Sequence, residues 1–238
     1  MKLIMIVLLV AAASSCSMLN NLTSGANNQN SVEAQKQEAS AKTKKRADET
    51  RNQLSQEYQK FTPLQVGKYD LFEIDGIFLP KNYGALERKN VKYWGENSDN
   101  IRVGVLKYAS EAKAKQGFKE WLGKAFPIEN TTALKPPKCN PNAGEGESVD
   151  GPMKIVKRYK QPNGNEVVVV RSGDFYDATC DITNNEDEFA IWNDGVYFIV
   201  IWADTTDRYK NPEKYISGFG RAESFAKEYF AALNQPLS

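Results

Sequence analysis

The side chains with the most chemical potential in this chain are carboxylates gathered in two stretches. Glu145, Glu147 and Asp150 lie in the first. Asp174, Asp177 and Asp181 lie in the second, with Asn184, Asn185, Glu186, Asp187 and Glu188 following at once. Oxygen donors in that number suit a hard cation such as calcium, which takes six to eight of them. The spacing is not that of an EF-hand, and a solvated acidic loop is the plainer reading. Two carboxylates can also serve as acid and base, as in glycoside hydrolysis, a chemistry that needs no imidazole. That point matters because the chain contains no histidine. Ser-His-Asp and Cys-His catalysis, histidine-ligated zinc and the ordinary near-neutral proton shuttle are thereby excluded.

Other motif matches are accidental. Ser110 to Lys113 and Ser224 to Lys227 fit S-x-x-K and Ser98-Asp99-Asn100 fits S-D-N, but K-T-G is missing and the order is reversed. Gly144-x-Gly146 and Gly218-x-Gly220 lack the third glycine and the strand-to-helix context of a nucleotide loop. Trp94, Trp121, Trp192 and Trp202 could form a platform for glycan, although aromatic residues more often fill a core.

What must position these groups begins with the address. Met1 to Cys16 reads MKLIMIVLLVAAASSC, a basic start, an apolar run from Leu3 to Ala13 and small residues before a cysteine. This is the layout of an export signal. Eleven apolar residues fall short of the roughly twenty that cross a bilayer as a helix. The Ala13-Ser14-Ser15-Cys16 ending resembles the lipobox of bacterial lipoproteins, with Ala13 where leucine is usual. The resemblance implies a cleaved signal peptide over residues 1–15, lipid (palmitate) on Cys16 and a place in the cell envelope on the extracytoplasmic side of a membrane. Ser17 after the cysteine is similar to the outer-membrane sorting pattern of enterobacteria.

Removing fifteen of the 238 residues leaves 223 with equal numbers of basic and acidic side chains, since Lys2 is lost from 31 basic against 30 acidic. A balanced surface exerts no long-range pull on nucleic acid. Cys139 and Cys180 remain as an even pair in an oxidising compartment and are expected to form a disulfide. That bond would bring the two acidic stretches together.

Residues 16–61 read as a lipid-anchored tether. Ser17 to Ser31 is rich in Asn, Ser and Gly, and the stretch from Val32 to Lys60 favours helix but offers only Leu54, Tyr58 and Phe61 as an apolar stripe. It is expected to dock only at its end. Lys42, Lys44, Lys45 and Arg46 could touch anionic headgroups, or simply form a solvated face next to Asp48 and Glu49.

Residues 62–238 read as one domain. Strands are expected at Tyr69 to Leu79, with a bend at Asp75-Gly76, and in a hairpin of Val91 to Gly95 with Ile101 to Tyr108. Two further hairpins turn at Pro162-Asn163-Gly164 and at Asn193-Asp194-Gly195. Val196 to Trp202 is apolar on both faces, which places it in the middle of a sheet covered on both sides. Ser110 caps a helix bearing Ala114, Phe118, Trp121, Leu122 and Ala125 on one face. Asn211-Pro212 starts a short helical turn, and a last helix carries Ala222, Phe225, Ala226, Tyr229, Phe230 and Leu233. Pro127 to Pro152 has no periodicity and reads as a long loop.

The expected fold class is α+β, an antiparallel sheet built from hairpins with two amphipathic helices packed on it, in an order that suggests a loose internal duplication. The expected function is an envelope lipoprotein whose domain is a binding or assembly module for a protein or envelope partner, with no cofactor and no catalytic set. The alternatives are a carboxylate-dependent hydrolase of an envelope polymer and a small-molecule or lipid carrier.

Overall fold

A computed structural model describes residues 32–76, 83–96, 99–125, 140–144, 148–150, 153–176, 182–205 and 217–234. The chain divides into two units, 1–45 and 46–238. In the first, the described residues 32–45 are helical and exposed on every side. In the second, a helix, α1, occupies residues 46–52, and side chains are buried at Ala47, Thr50 and Leu54. The second unit thus takes in residues 46–61 as well as the stretch from Thr62 onward. Arg46 lies 3.5 Å over the Phe72 ring and Thr50 donates to the Phe72 carbonyl at 3.0 Å. A one-turn helix, α2 (Gln56–Gln59), then buries Tyr58.

The second unit is one antiparallel sheet with helices on both faces. Its strands are β1 (Gln65–Val66), β2 (Tyr69–Ile74), β3 (Glu87–Trp94), β4 (Asn100–Lys107), β5 (Ser148–Asp150), β6 (Lys154–Lys160), β7 (Glu166–Tyr176), β8 (Ile182–Asp194) and β9 (Tyr197–Ala203). They lie in the order β1-β2-β3-β4-β9-β8-β7, and β5 and β6 both pair with the outer side of β7. β9 is central, as its two apolar faces require. Ile199 and Ile201 join one buried cluster while Phe198 and Val200 join the other.

The helix α3 (Glu111–Glu120) covers the second of these faces. Ser110 caps it, its Oγ accepting from the Lys113 N–H at 3.3 Å. It ends in a π-helical turn, Trp121–Ala125, and the wider turn lets the adjacent Trp121 and Leu122 both face the core. Gly117 sits where the Tyr108 hydroxyl presses on the helix, so a Cβ there would collide with the ring. Close approach is what offsets the helix-propensity cost of this glycine. The helix α4 (Arg221–Leu233) covers the opposite face through Ala222, Phe225, Ala226 and Tyr229.

The two central hairpins, β3–β4 and β8–β9, keep the correspondence that the sequence suggests between the halves of the domain. A two-fold axis normal to the sheet relates antiparallel neighbours such as β4 and β9, and it would put both helices on one face. They lie on opposite faces, so the likeness of the halves stops at the strands.

Two expectations are corrected. Ser148–Asp150, read as part of the loop from Pro127 to Pro152, form β5. Glu186, Asp187 and Glu188, read as part of a solvated acidic loop, belong to β8, which starts at Ile182 and not near Phe189. Polar residues persist in the strand because each finds a partner. The Ser217 hydroxyl donates to the Glu186 carboxylate, Trp202 Nε1 donates to Asp187 at 2.9 Å, and Arg171 Nε donates to Glu188 at 2.8 Å.

A candidate binding groove beside an acidic sheet end

α4 starts without a side-chain cap of its own. Its N-cap is Gly220, at φ +81°, and no neighbouring side chain in sequence takes up the free N–H groups of the first turn. Glu188 does so from β8. Its carboxylate accepts from the Gly220 N–H at 2.7 Å and from the Glu223 N–H at 2.9 Å, and Arg171 balances it. The Glu188 side chain is 0 % exposed. An internal carboxylate therefore fills the place where a helix N-terminus attracts an anion, and it fixes the axial position of α4 on the sheet.

A second ionic junction fixes the first residue of α4. Arg221 pairs with Asp99 and donates to the carbonyls of Asn100 at 2.9 Å and Asp204 at 2.7 Å. Asp99 also accepts from the Tyr69 hydroxyl at 2.6 Å and meets Lys68 Nζ at 3.1 Å. Burial, then the Asp99 carboxylate, pushes the Tyr69 hydroxyl well above its usual value, so it stays protonated and donates. The turn between β1 and β2 and the start of α4 are thereby tied to the turn between β3 and β4.

Between the β1–β2 turn and the exposed flank of α4 runs a groove of about 1120 Å³. Its helix side is the stripe Arg221, Ser224, Phe225, Glu228, Ala231 and Ala232, and its other side is Pro63 to Tyr69 with Arg51. From Arg221 to Ala232 the axial rise is roughly 16 Å. Four charged side chains line it: Arg221 and Lys68, both paired with Asp99, Arg51, whose Nη2 donates to the Gln59 carbonyl at 3.3 Å, and Glu228. The Glu228 carboxylate rests directly against Gly67, a position at φ +55° that no side chain could share with it. The Nε–H groups of Arg51 and Arg221 have no hydrogen-bond acceptor among the described residues.

Of the carboxylates singled out from the sequence, Glu188 touches the groove at Gly220, whereas β5 and β7 lie toward the opposite edge of the sheet. Asp150 in β5 is directly opposite Asp174 in β7, so sheet pairing joins the two acidic stretches at that point. Glu145, Glu147, Asp177 and Asp181 lie outside the described residues, as do Cys16, Cys139 and Cys180. Among the described residues, no three His, Cys, Asp or Glu side chains converge as a metal site.

Among the described residues the carboxylate with the most altered chemistry is Asp187. Burial pushes it up to about 6, against the Trp202 N–H that lowers it, and the charges of Asp204 and Asp174 raise it further while Arg102 lowers it. The Trp202 ring is stacked on Phe189 with centroids 5.9 Å apart, and the Arg102 guanidinium lies 4.6 Å from the same ring. Arg102 itself bridges Asp75 at 2.9 Å and Asp204 at 3.0 Å.

Arg51, Gln65, Lys68, Arg221 and Glu228 did not stand out as functional in the sequence. Arg221 and Glu228 share the polar side of an ordinary amphipathic helix, and Lys68 is a lone charge beside a glycine. The available signal was Val66-Gly67-Lys68-Tyr69, a two-residue turn that makes Gln65 part of a strand. Of the four tryptophans, Trp121 and Trp192 are wholly buried and belong to the core.

No family model and no curated protein matches the chain. Among solved structures it is similar to the extracellular domain of PknH from Mycobacterium tuberculosis, with 9% sequence identity and a TM-score of 0.33, over 65% of this chain and 67% of that one.

Proposed function

We propose that the protein is a lipid-anchored module of the cell envelope that binds a partner through the groove between α4 and residues 63–69. The observation that carries the binding part is the groove itself, roughly 16 Å long and of mixed polarity, with a wall held in place by Glu188 and Asp99. The anchoring part rests on the signal-like residues 1–15 and on Cys16. The exposed helical residues 32–45 suit a spacer between lipid and domain. Among the described residues, no helix is long and apolar enough to cross a membrane.

Labelled palmitate should enter the wild-type protein and not Cys16→Ala, and equal labelling of the two would end the anchor reading. Cross-linked capture from membranes should recover a partner with wild type that Ser224→Trp, which fills the groove from an exposed helix position, loses. Capture that is unaffected by Ser224→Trp would remove the groove from the proposal. A disulfide between Cys139 and Cys180 belongs to the same reading, and two free thiols in the denatured mature protein would exclude it.

A carboxylate-dependent hydrolase is the second reading, favoured by the raised Asp187 beside Asp174 and Asp204. It predicts polymer cleavage that Asp187→Asn abolishes.

A further inference from the structure

The helical residues 32–45 end in a run of cations, Lys42, Lys44 and Lys45, with Thr43 between the first two. Every one of these residues is exposed, and the unit they belong to stops at Lys45. The first buried side chain of the second unit is Ala47. A helix of this length without tertiary packing is marginal in water, because only its own hydrogen bonds offset the cost of nucleation. Local opening is therefore the low-energy motion of this stretch. Thr43 adds a weak point inside the run. It is β-branched, and its hydroxyl donates to the Ala39 carbonyl one turn back at 3.0 Å, a bond that competes with the helix ladder.

A lysine-rich stretch that opens readily into extended chain suits a serine protease whose specificity pocket holds a carboxylate and so selects lysine or arginine. We infer that residues 42–45 are a cleavage site at which a protease of this class frees the folded domain from its lipid anchor. Overall, water supplies a hydroxyl to the carbonyl carbon of Lys42, Lys44 or Lys45 and the C–N bond to the next residue breaks. The nitrogen of that next residue leaves with the proton, as a new amino terminus. The release rests on the lipid-anchor reading, whereas the cleavage does not.

Helix geometry favours a protease over an anionic bilayer as the reader of these lysines. Lys42 and Lys44 are roughly 160° apart around the axis and cannot face one plane together. Glu33 and Glu38 share the helix, Glu38 one turn before Lys42, so a headgroup layer would meet carboxylates as well. A protease takes the opened chain and reads one lysine at a time, which makes the helix face irrelevant. The position of the cut matters equally. Each bond lies ahead of Arg46 on the Phe72 ring, of Thr50 and of the buried Tyr58, so the second unit loses no residue. Arg102 in β4, Arg171 in β7 and Arg221 in α4 are held in packed elements and are reached only by a larger unfolding.

The test mixes the full mature protein with phosphatidylcholine vesicles, adds a trace of trypsin, and reads the supernatant after sedimentation by intact mass. The first released species should begin at residue 43, 45 or 46 and keep the circular dichroism and urea midpoint of the domain in the undigested protein. The triple variant Lys42→Gln, Lys44→Gln, Lys45→Gln keeps the helix propensity and should slow release at least about tenfold. Ala41→Gly loosens the helix without touching a lysine and should speed release about fivefold. A first cut beyond Arg46, equal release from the triple variant, or a released domain that has lost its native circular dichroism would overturn the inference. So would a rate that Ala41→Gly leaves unchanged. Cleavage at residues 42–45 in protein that the vesicles never held would support the site and overturn the anchor reading, so the two failures are told apart.

Discussion

The two helices of the domain are held to the same sheet by different physics. α3 lies on its face through apolar contact: Trp121 meets Phe189 and Phe198 edge-on, Phe118 meets Phe198, and Tyr108 fits against Gly117. α4 also buries an apolar stripe, but its N-terminus is fixed by Glu188 and Arg221. Packing alone leaves a helix some freedom to slide, because apolar contact is non-directional. Hydrogen bonds to buried charge do not, since misplacing them strands an ion in the interior. The groove lies along the helix that is pinned, which is where a fixed wall has use.

The sharpest way to break this contrast is to remove the pin. Glu188→Ala leaves Arg171 and two helix N–H groups without their acceptor and should cost about 3–5 kcal/mol, measured by urea unfolding. A loss below about 1 kcal/mol would show that α4, like α3, is held by packing. Trp121→Ala on the other face is expected to cost about 3–4 kcal/mol through a cavity alone, with no dependence on salt.

Next in size are the two glycines of the α3 segment. Gly117→Ala should destabilise by roughly 1–3 kcal/mol because the new methyl meets the Tyr108 ring. Gly123→Ala has open space around it and should stabilise by about 0.5–1 kcal/mol through helix propensity. If thermal melting gives both the same sign, the close approach of Tyr108 is not what selects glycine.

Asp187 separates the two faces by pH. Its folded value is raised to about 6, so the native protein binds this proton more tightly than the unfolded chain does. Stability from this group is present when it is protonated and is lost as pH rises from about 4 through 6. Asp187→Asn keeps an acceptor for Trp202 and should stabilise by about 1–2 kcal/mol at pH 7, a figure reduced for the solvent that reaches this half-buried side chain, and by nothing at pH 3. A gain that is the same at both pH values would mean that Asp187 is not raised. The smallest effect is at the groove mouth. Lys68→Ala, at an exposed lysine whose partner Asp99 keeps Arg221 and Tyr69, should shift stability by less than about 0.5 kcal/mol, measured by urea unfolding.

The sequence by itself determined the local elements. Period-two alternation and turn residues marked the hairpins β3–β4, β6–β7 and β8–β9, the double-faced apolar pattern put β9 at the centre, and spacing of 3.6 marked α3 and α4. These are consequences of how successive side chains point, which needs only neighbours in the chain. Tertiary structure decided what depends on partners distant in sequence. Nothing around Glu186 to Glu188 announces a strand, because the groups that satisfy it, Arg171, Trp202 and the start of α4, come from three other elements. Nor does Arg221 announce its bond to Asp99, 122 residues earlier. The side of the sheet on which each helix lands, and so the groove beside β1, was likewise settled by the burial of whole faces against one another, a choice that no single stretch of residues encodes.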